Sequence, residues 1–247
     1  MLRVMAPLTK IVPFAAALWL SVVPGDIVAA ERKAVVELFT SQGCSSCPPA
    51  DALVSELARR DDVLALSFHV DYWNYIGWRD PFSKRQWSVR QRAYGDTLKR
   101  RYVYTPQIVV DGAAESVGSK RARVVELIEA ALRKEKIAVE VAHLDGETVR
   151  IRVPADSSYA GPGATVWLAF FDDEQTTAIK SGENSGVTLT NTNVVRSLAR
   201  LGTWQGAAME WALPVEAVGG TGRDGCAILV QAGGNGRIIS AVALALH

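Results

Sequence analysis

The sequence predicts an α/β domain over residues 31–136 and an all-β, sandwich-like domain over residues 137–247. In the first range, short apolar runs typical of buried strands alternate with helical stretches, an order that implies a sheet covered by helices. In the second range, seven short strand candidates follow one another, which is typical of a β-sandwich. The 247 residues and 49% apolar content are sufficient for two such domains.

The first domain has the predicted order β-α-β-α-β-β-α. Its strands are expected at residues 34–40, 63–70, 107–110 and 115–117, and its first and last helices at 50–60 and 119–134. The middle helix is expected to begin at Asp80-Pro81, because Asp caps a helix and Pro is tolerated at its first position. In the last helix, Val124, Leu127 and Ile128 recur at helical spacing and are expected to face the core.

The second domain is predicted from alternating apolar and polar residues. Residues 137–154 alternate around Asp145-Gly146, a hairpin signal. Further strands are expected at residues 164–171, 194–201, 207–213, 226–231 and 237–244. The polar stretch 180–193 is interpreted as a long loop that could contain an edge strand.

Residues 1–30 have the pattern of a secretory signal peptide. Arg3 and Lys10 precede an apolar run over residues 11–23, and Ala30 ends a small-residue cleavage pattern. Thirteen apolar residues rise only about 20 Å as a helix, which is short of the roughly 30 Å membrane core. We therefore expect cleavage after Ala30, export to the periplasm or medium, and no stable membrane insertion of the mature chain.

The charge of the predicted mature chain is balanced overall but divided between its halves. Residues 31–136 carry 18 basic and 14 acidic side chains, whereas residues 137–247 carry 7 and 11. The overall balance gives no reason to expect a nucleic-acid partner, since such binding needs several uncompensated cations. Attraction between the halves would help them dock, and high salt would then separate them.

The sharpest chemical signal is the C-x-x-C motif Cys44-Ser45-Ser46-Cys47, between a predicted strand and a predicted helix. At a helix N-terminus, free N–H groups and the helix dipole stabilise a thiolate, the form that attacks disulfides. Pro48 and Pro49 restrict the helix start to these two positions, which leaves Cys44 upstream in the turn. We predict that Cys44 is the more exposed nucleophile and Cys47 the resolving thiol.

Two other interpretations of the motif remain open. A structural disulfide is plausible in an exported protein, although so short a loop adds little stability. A zinc site requires four ligands, and the sequence has no second C-x-x-C and only three scattered histidines, His69, His143 and His247.

A second signal is Tyr104-Thr105-Pro106-Gln107, immediately before the third predicted strand. In the predicted order this segment lies beside the cysteines. A cis bond at Thr105-Pro106 would turn the Thr105 backbone toward the sulfurs, where it could pair with an extended substrate.

Over residues 34–136, this combination of motif, order and spacing resembles the thioredoxin-like superfamily, whose redox site consists of a C-x-x-C and a cis-Pro. More narrowly, three segments resemble the secreted bacterial family catalogued as domain of unknown function 1223, which extends through the β-rich half: FTSQGCSSCPPAD, HVDYWNYIGWRDPF and YTPQIVVDG. The sequence departs from the superfamily's redox enzymes at Gly43, where Trp is usual, and at Ser45-Ser46, where Gly-Pro is usual. The redox direction is therefore left open.

Other residues are secondary candidates. Asp71 could exchange a proton with Cys47, or it could simply cap a turn. Trp73 or Tyr75 could form a wall of the substrate groove, whereas His69 is interpreted as a core residue. The basic run over residues 79–101 is mostly a solvated helix face, part of which could support the thiolate or an acidic substrate.

The third cysteine, Cys226, lies in an apolar strand and is interpreted as a buried free thiol, with a third redox partner or an intermolecular disulfide as the alternatives.

The sequence therefore predicts an exported thiol–disulfide oxidoreductase that needs no cofactor beyond its cysteine pair. Its partners would be a protein or small-molecule thiol or disulfide substrate and a redox partner that recycles the pair. One alternative is a Cu(I) carrier that uses Cys44, Cys47 and His69. The other is a non-enzymatic binding module.

Overall fold

The computed structural model describes residues 27–29, 33–144, 147–218 and 222–245. The leader predicted over residues 1–30 lies outside these residues, apart from a short strand at residues 27–29. Within the described residues, the structure contains no helix with the length and apolar character needed to cross a membrane.

The elements follow the predicted order in the first half. Its strands are β2 (Ala34–Thr40), β3 (Val63–His69), β4 (Gln107–Val110) and β5 (Ala114–Val117), preceded by the short β1 (Ile27–Ala29). Its helices are α1 (Pro48–Leu57), α2 (Arg85–Thr97) and α3 (Arg121–Leu132).

The second half is β-rich, as expected. Its strands are β6 (Glu140–His143), β7 (Thr148–Val153), β8 (Ala164–Ala178), β9 (Thr188–Trp204), β10 (Met209–Pro214), β11 (Gly225–Ala232) and β12 (Ile238–Ala245). A single short helix, α4 (Val215–Val218), interrupts them within the described residues.

One eight-stranded sheet runs through both halves, in the order β12-β11-β8-β9-β3-β2-β4-β5. Strand β2 is parallel to β3 and antiparallel to β4. The halves join where β9 pairs in parallel with β3, at Ser67 and Val194. A second sheet, in the order β1-β6-β7-β10, contains four strands. The protein is therefore a mixed α/β structure built on one large sheet.

The central strands are apolar because both faces of the sheet are covered. Every residue of β2 is buried, and alternate side chains point to opposite faces. Val36 and Leu38 pack under α1 and α3, whereas Phe39 packs with Phe68 of β3 and Trp87 of α2 on the other face. The buried strands thus hold the end of β2, where the cysteines follow, in a fixed place.

The second half contains two sheets that pack on each other. The four-stranded sheet packs on β8, β11 and β12 around an apolar cluster that includes Ile151, Trp204 and Ile228. The larger of its two sheets, however, continues into β3 and β2. Leu229 of the second half also shares an apolar cluster with Phe39 of the first. Strand pairing and apolar packing therefore join the halves, rather than the charge attraction expected from the sequence.

A hydrogen-bond network around a buried ion pair also joins the halves. Arg90 of α2 donates from Nε to Glu37 Oε1 of β2 at 2.8 Å and from a terminal nitrogen to Tyr94 Oη at 2.9 Å. The same Tyr94 oxygen accepts a 2.8 Å hydrogen bond from Gln231 of β11. Because these groups satisfy one another out of contact with water, salt has little access to them.

Some predicted boundaries are wrong. Helix α2 begins at Arg85 rather than at Asp80, because the Asp80 carboxylate accepts hydrogen bonds within a turn and from another loop. Of the stretch 180–193, for which a loop and a hidden strand were both considered, the last residues are strand, since β9 begins at Thr188. Its polar residues form a strand by pairing with the equally polar end of β8, as Thr176 does with Thr190. Such a strand depends on its partner, and its sequence lacks an apolar alternation.

Candidate functional site

The C-x-x-C loop lies between the carboxyl end of β2 and the start of α1. Cys44 N–H donates to Ser41 O and Cys47 N–H donates to Cys44 O, each at 3.1 Å, so the chain makes two consecutive tight turns. Helix α1 then begins at Pro48, as predicted, with Cys47 as its cap residue. Both sulfurs are therefore held near the amino end of a helix.

All three cysteines are free thiols. Only 1% of Cys44 and none of Cys47 is exposed. We expected Cys44 to be clearly more exposed than Cys47, but in the structure both residues are enclosed by their neighbours.

Two hydroxyl groups contact the Cys44 sulfur. Ser46 Oγ lies 3.2 Å from it, and Thr105 Oγ1 donates to it at 3.3 Å. The Trp73 indole N–H donates to the same Thr105 oxygen at 2.6 Å. Because this N–H occupies an acceptor position of the hydroxyl, the hydroxyl proton remains available to the sulfur.

These contacts favour the thiolate of Cys44. Hydrogen bonding by Cys47 is the largest influence, and the hydroxyls of Ser46 and Thr105 add to it. Burial acts in the opposite direction, yet the pKa of Cys44 falls from 9.0 to about 6. Cys44 is therefore mostly ionised at neutral pH.

The Thr105–Pro106 peptide bond is cis, as the sequence analysis expected. Pro106 is buried, and its carbonyl accepts a hydrogen bond from Gly118 N–H at 2.9 Å, which ties the start of β4 to the end of β5. Thr105 is thereby placed with its hydroxyl on Cys44.

Cys47 has a different environment from Cys44. Burial raises its pKa, and the hydrogen bond to Cys44 and the charges of Cys44 and Asp51 raise it further. The Thr40 hydroxyl donates to Asp51 Oδ1 at 2.9 Å and also hydrogen-bonds Cys47. Asp51 is one helical turn beyond Cys47 in α1, so the two side chains share a helix face.

Asp51 is a buried carboxyl group that the sequence analysis missed. It is 6% exposed, and its Oδ2 atom has no hydrogen-bond partner within the described residues. Burial raises its pKa to about 7, against the opposing effect of His69. The position i+4 from the second cysteine was the available signal, since a carboxylate there must lie beside the helix start.

His69 and Asp80 form a buried pair beneath the loop. Their Nδ1 and Oδ2 atoms are 2.7 Å apart, and neither side chain is exposed. Burial disfavours the charged form of His69, but the Asp80 carboxylate raises its pKa overall. The same Asp80 oxygen accepts the Gln42 N–H at 2.9 Å, so the pair fixes the backbone just before Cys44.

A segment from the second half of the chain also holds the C-x-x-C loop. This segment, residues 179–187, connects β8 to β9, and we call it the strap. Asn184 in the strap is buried and donates to the carbonyls of Gln42 at 2.8 Å and Cys44 at 3.1 Å. Glu183 accepts the Ser45 N–H at 3.1 Å. No local sequence pattern indicates these contacts, because they join residues about 140 positions apart.

The comparisons with known proteins agree with this architecture. A family described as "Protein of unknown function (DUF1223)" matches residues 35–231, most of the chain. The chain belongs to the DUF1223 family.

The crystal structure of protein AGR_C_4864 from Agrobacterium tumefaciens is similar to this DUF1223 chain, with 33% identity and a TM-score of 0.76. The similarity covers 87% of this chain and 94% of that one. No curated protein matches the sequence.

The structure of the DUF1223 chain shows which of the secondary candidate residues lie near the cysteines and which do not. Trp73 belongs to the site because its indole N–H donates to Thr105, which contacts Cys44. Tyr75, by contrast, is 81% exposed. Asp71 accepts a hydrogen bond from the Ser88 hydroxyl of α2 at 2.5 Å. Cys226 is fully buried, and burial raises its pKa to about 12, so it is a protonated core thiol.

Among the described residues of this DUF1223 chain, no group of three or more His, Cys, Asp or Glu side chains could hold a metal ion. His69, the third ligand of the copper alternative, is engaged by Asp80.

Proposed function

We propose that this DUF1223 protein is an exported thiol–disulfide oxidoreductase in which Cys44 is the nucleophile and Cys47 the resolving thiol. The proposal rests on one observation: the Cys44 sulfur, with a pKa of about 6, is in contact with the hydroxyls of Ser46 and Thr105 beside a second thiol of raised pKa. A structural disulfide would not need a stabilised thiolate.

We infer in addition that residues 34–136 form a thioredoxin-like unit. Its four strands lie in the order β3-β2-β4-β5, with β3 parallel and β4 antiparallel to β2. The C-x-x-C follows β2, and the cis Thr105–Pro106 bond precedes β4. Both features support a redox site at one edge of this unit.

The reaction proceeds in two displacements. The Cys44 thiolate attacks one sulfur of a substrate disulfide, which forms a mixed disulfide and releases the other substrate sulfur as a thiolate. Cys47 then loses its proton and attacks the Cys44 sulfur, which releases the second substrate thiolate. The substrate gains two electrons, and Cys44 and Cys47 become a disulfide. A dithiol partner returns the pair to the reduced form, and an oxidising cycle runs through the same bonds in reverse.

Asp51 is the proposed acceptor of the Cys47 proton. The Thr40 hydroxyl hydrogen-bonds both Asp51 and Cys47, which connects the two groups. The Asp51 pKa of about 7 allows the carboxyl group to gain and lose a proton near neutral pH. Asp71, the acceptor suggested by the sequence, is hydrogen-bonded to Ser88 instead.

Access to Cys44 requires local movement. Since only 1% of Cys44 is exposed, a substrate sulfur reaches it only when the residues that enclose the sulfur move aside. Loop movements of this kind occur on the microsecond to millisecond scale, which is compatible with turnover.

Cysteine variants of the full-length protein test the proposal. Cys47→Ser should accumulate mixed disulfides with proteins of the exported fraction, because resolution is blocked, whereas Cys44→Ser should accumulate none. Cys226→Ala is the matched control and should behave like the native protein, since that thiol is buried and protonated. Non-reducing gels and mass spectrometry give the readout. If Cys47→Ser traps no more protein than Cys44→Ser, the proposed function is wrong.

Export is tested by sequencing the amino terminus of the protein recovered from the periplasm and the medium. We expect it to begin at Glu31. Cleavage there would also remove β1, which pairs with β6 in the full chain.

A further inference from the structure

A basic cleft lies beside the proposed redox site. It has a volume of about 670 Å³ and is bounded by the turn after α2, the edge strand β5 and the start of α3. Five cationic side chains line it: Lys99, Arg100, Arg101, Lys120 and Arg123.

The single acidic residue of the lining, Glu115, does not neutralise this charge. Its side chain is 5% exposed and is engaged by Arg100 and by the hydroxyl of Tyr104, while Gln107 donates to it at 3.1 Å. Glu115 and Arg100 therefore cancel each other. Arg123 pairs with Glu126 at 2.7 Å.

Three cations of the cleft remain uncompensated. Lys99, Arg101 and Lys120 are exposed, and none of them forms an ion pair with any residue in the described parts of the chain. Like charges gathered around one concave surface repel one another and raise the local concentration of anions. This arrangement favours an anionic ligand.

The cleft adjoins the nucleophile through the chain itself. Tyr104 lines the cleft, and the next residue, Thr105, donates to the Cys44 sulfur at 3.3 Å. At the other side, β5 leads from the cleft to Gly118, which donates to Pro106 O at 2.9 Å. A chain bound in the cleft would thus have its neighbouring residues at the sulfur.

We propose that the basic cleft binds a carboxylate-rich peptide segment next to the disulfide of the substrate, so that the protein prefers disulfides flanked by Asp or Glu. The inference rests on the proposed redox function. The three unpaired cations would each attract a carboxylate of the bound segment, and the Arg101 guanidinium can pair with one of them through two hydrogen bonds.

Three peptide disulfides test this preference. Each is the symmetrical disulfide of a five-residue peptide in which Cys is followed by four Asp, four Ser or four Lys residues. The second-order rate constant for reaction with the reduced full-length protein is measured for all three at low and high salt. The native protein should show a fall with salt for the Asp peptide that the Ser peptide does not show.

Two charge-reversal variants separate the cleft from the overall charge. The cleft variant is Lys99→Glu with Lys120→Glu, and the matched control is Arg133→Glu with Lys134→Glu. The control residues are exposed at the other end of α3, about 20 Å along the helix axis. Both variants change the net charge equally, and comparison of each variant with the native protein on one peptide cancels differences in leaving-group chemistry.

The cleft variant should lose at least about tenfold in rate with the Asp peptide and gain with the Lys peptide, while the Ser peptide changes by less than about twofold. The control variant should change none of the three by more than about twofold. Equal effects of the two variants on the Asp peptide would overturn the proposal for the cleft.

Failure of the redox function would give a different result, namely no reaction of the native protein with any of the three peptides. In that case a fluorescent, cysteine-free tetra-Asp peptide tests the cleft directly by anisotropy. Binding that the cleft variant abolishes and the control retains would support the cleft, and native binding no tighter than that of tetra-Lys would overturn it.

Discussion

The contact between Thr105 and Cys44 makes the thiolate pKa directly testable. Thr105 Oγ1 donates to the Cys44 sulfur at 3.3 Å and accepts from Trp73 at 2.6 Å. The substitution Thr105→Val keeps the branched shape of the side chain and removes the donor. Ser46 and Cys47 retain their contacts with the sulfur, so the pKa should rise only part of the way to its ordinary value.

The size of the rise follows from the strength of one hydrogen bond. A hydrogen bond to a charged group contributes about 1.5–3 kcal/mol, and one pKa unit corresponds to about 1.4 kcal/mol. We therefore expect the pKa of Cys44 to move from about 6 to about 7–8. A thiolate of higher pKa is also a better nucleophile, with a Brønsted slope of about 0.4–0.5. The variant should accordingly react several-fold more slowly than the native protein near pH 5 and faster near pH 9.

The assay is the pH dependence of alkylation of Cys44 by iodoacetamide, with the site of modification checked by mass spectrometry. Thr105→Ser is the control, because it keeps the hydroxyl and should keep the midpoint near 6. A midpoint in Thr105→Val within about 0.3 unit of the native one would refute the reasoning. So would a rate reduced by one factor at every pH, since that indicates altered access rather than an altered thiolate.

Three other predictions concern the surroundings of the site. Asn184→Ala removes donors from two buried carbonyls and should lower the free energy of unfolding in urea by about 1–3 kcal/mol, whereas the exposed neighbour Ser185→Ala should change it by less than about 0.5 kcal/mol. Burial raises the pKa of Asp51 from 3.8 to about 7. The protonated carboxyl therefore favours folding, and this contribution is lost as the pH rises through 7. Asp51→Asn should accordingly lose less thermal stability than the native protein between about pH 5 and pH 8. Finally, the radius of gyration should not change between about 0.05 and 1 M NaCl, because strand pairing and apolar packing join the halves.

Each of these predictions has a contrary result. Equal destabilisation by Asn184→Ala and Ser185→Ala would mean that the strap does not hold the loop. Parallel pH profiles for Asp51→Asn and the native protein would mean that Asp51 ionises normally. A larger radius of gyration at high salt would mean that charge attraction holds the halves together.

Local patterns predicted the first half of the fold well. Strand β2 has the predicted bounds and α1 begins at Pro48, because apolar runs and prolines act on their own neighbours. The start of α2 was wrong because Asp80 has two possible uses, as a helix cap or as a partner for a buried histidine. Only the folded chain brings His69 to it, so no local pattern could distinguish the two.

The sequence by itself determined that Cys44 and Cys47 lie at a helix start and that Thr105-Pro106 adjoins them, since spacing and element order are properties of the chain. The tertiary structure decided what surrounds the sulfurs. It placed Asp51 beside Cys47, the strap on the loop and the second half in the same sheet as the first. The physical reason is that burial, which raises the pKa of both Cys47 and Asp51, is created by residues far apart in sequence that exclude water together.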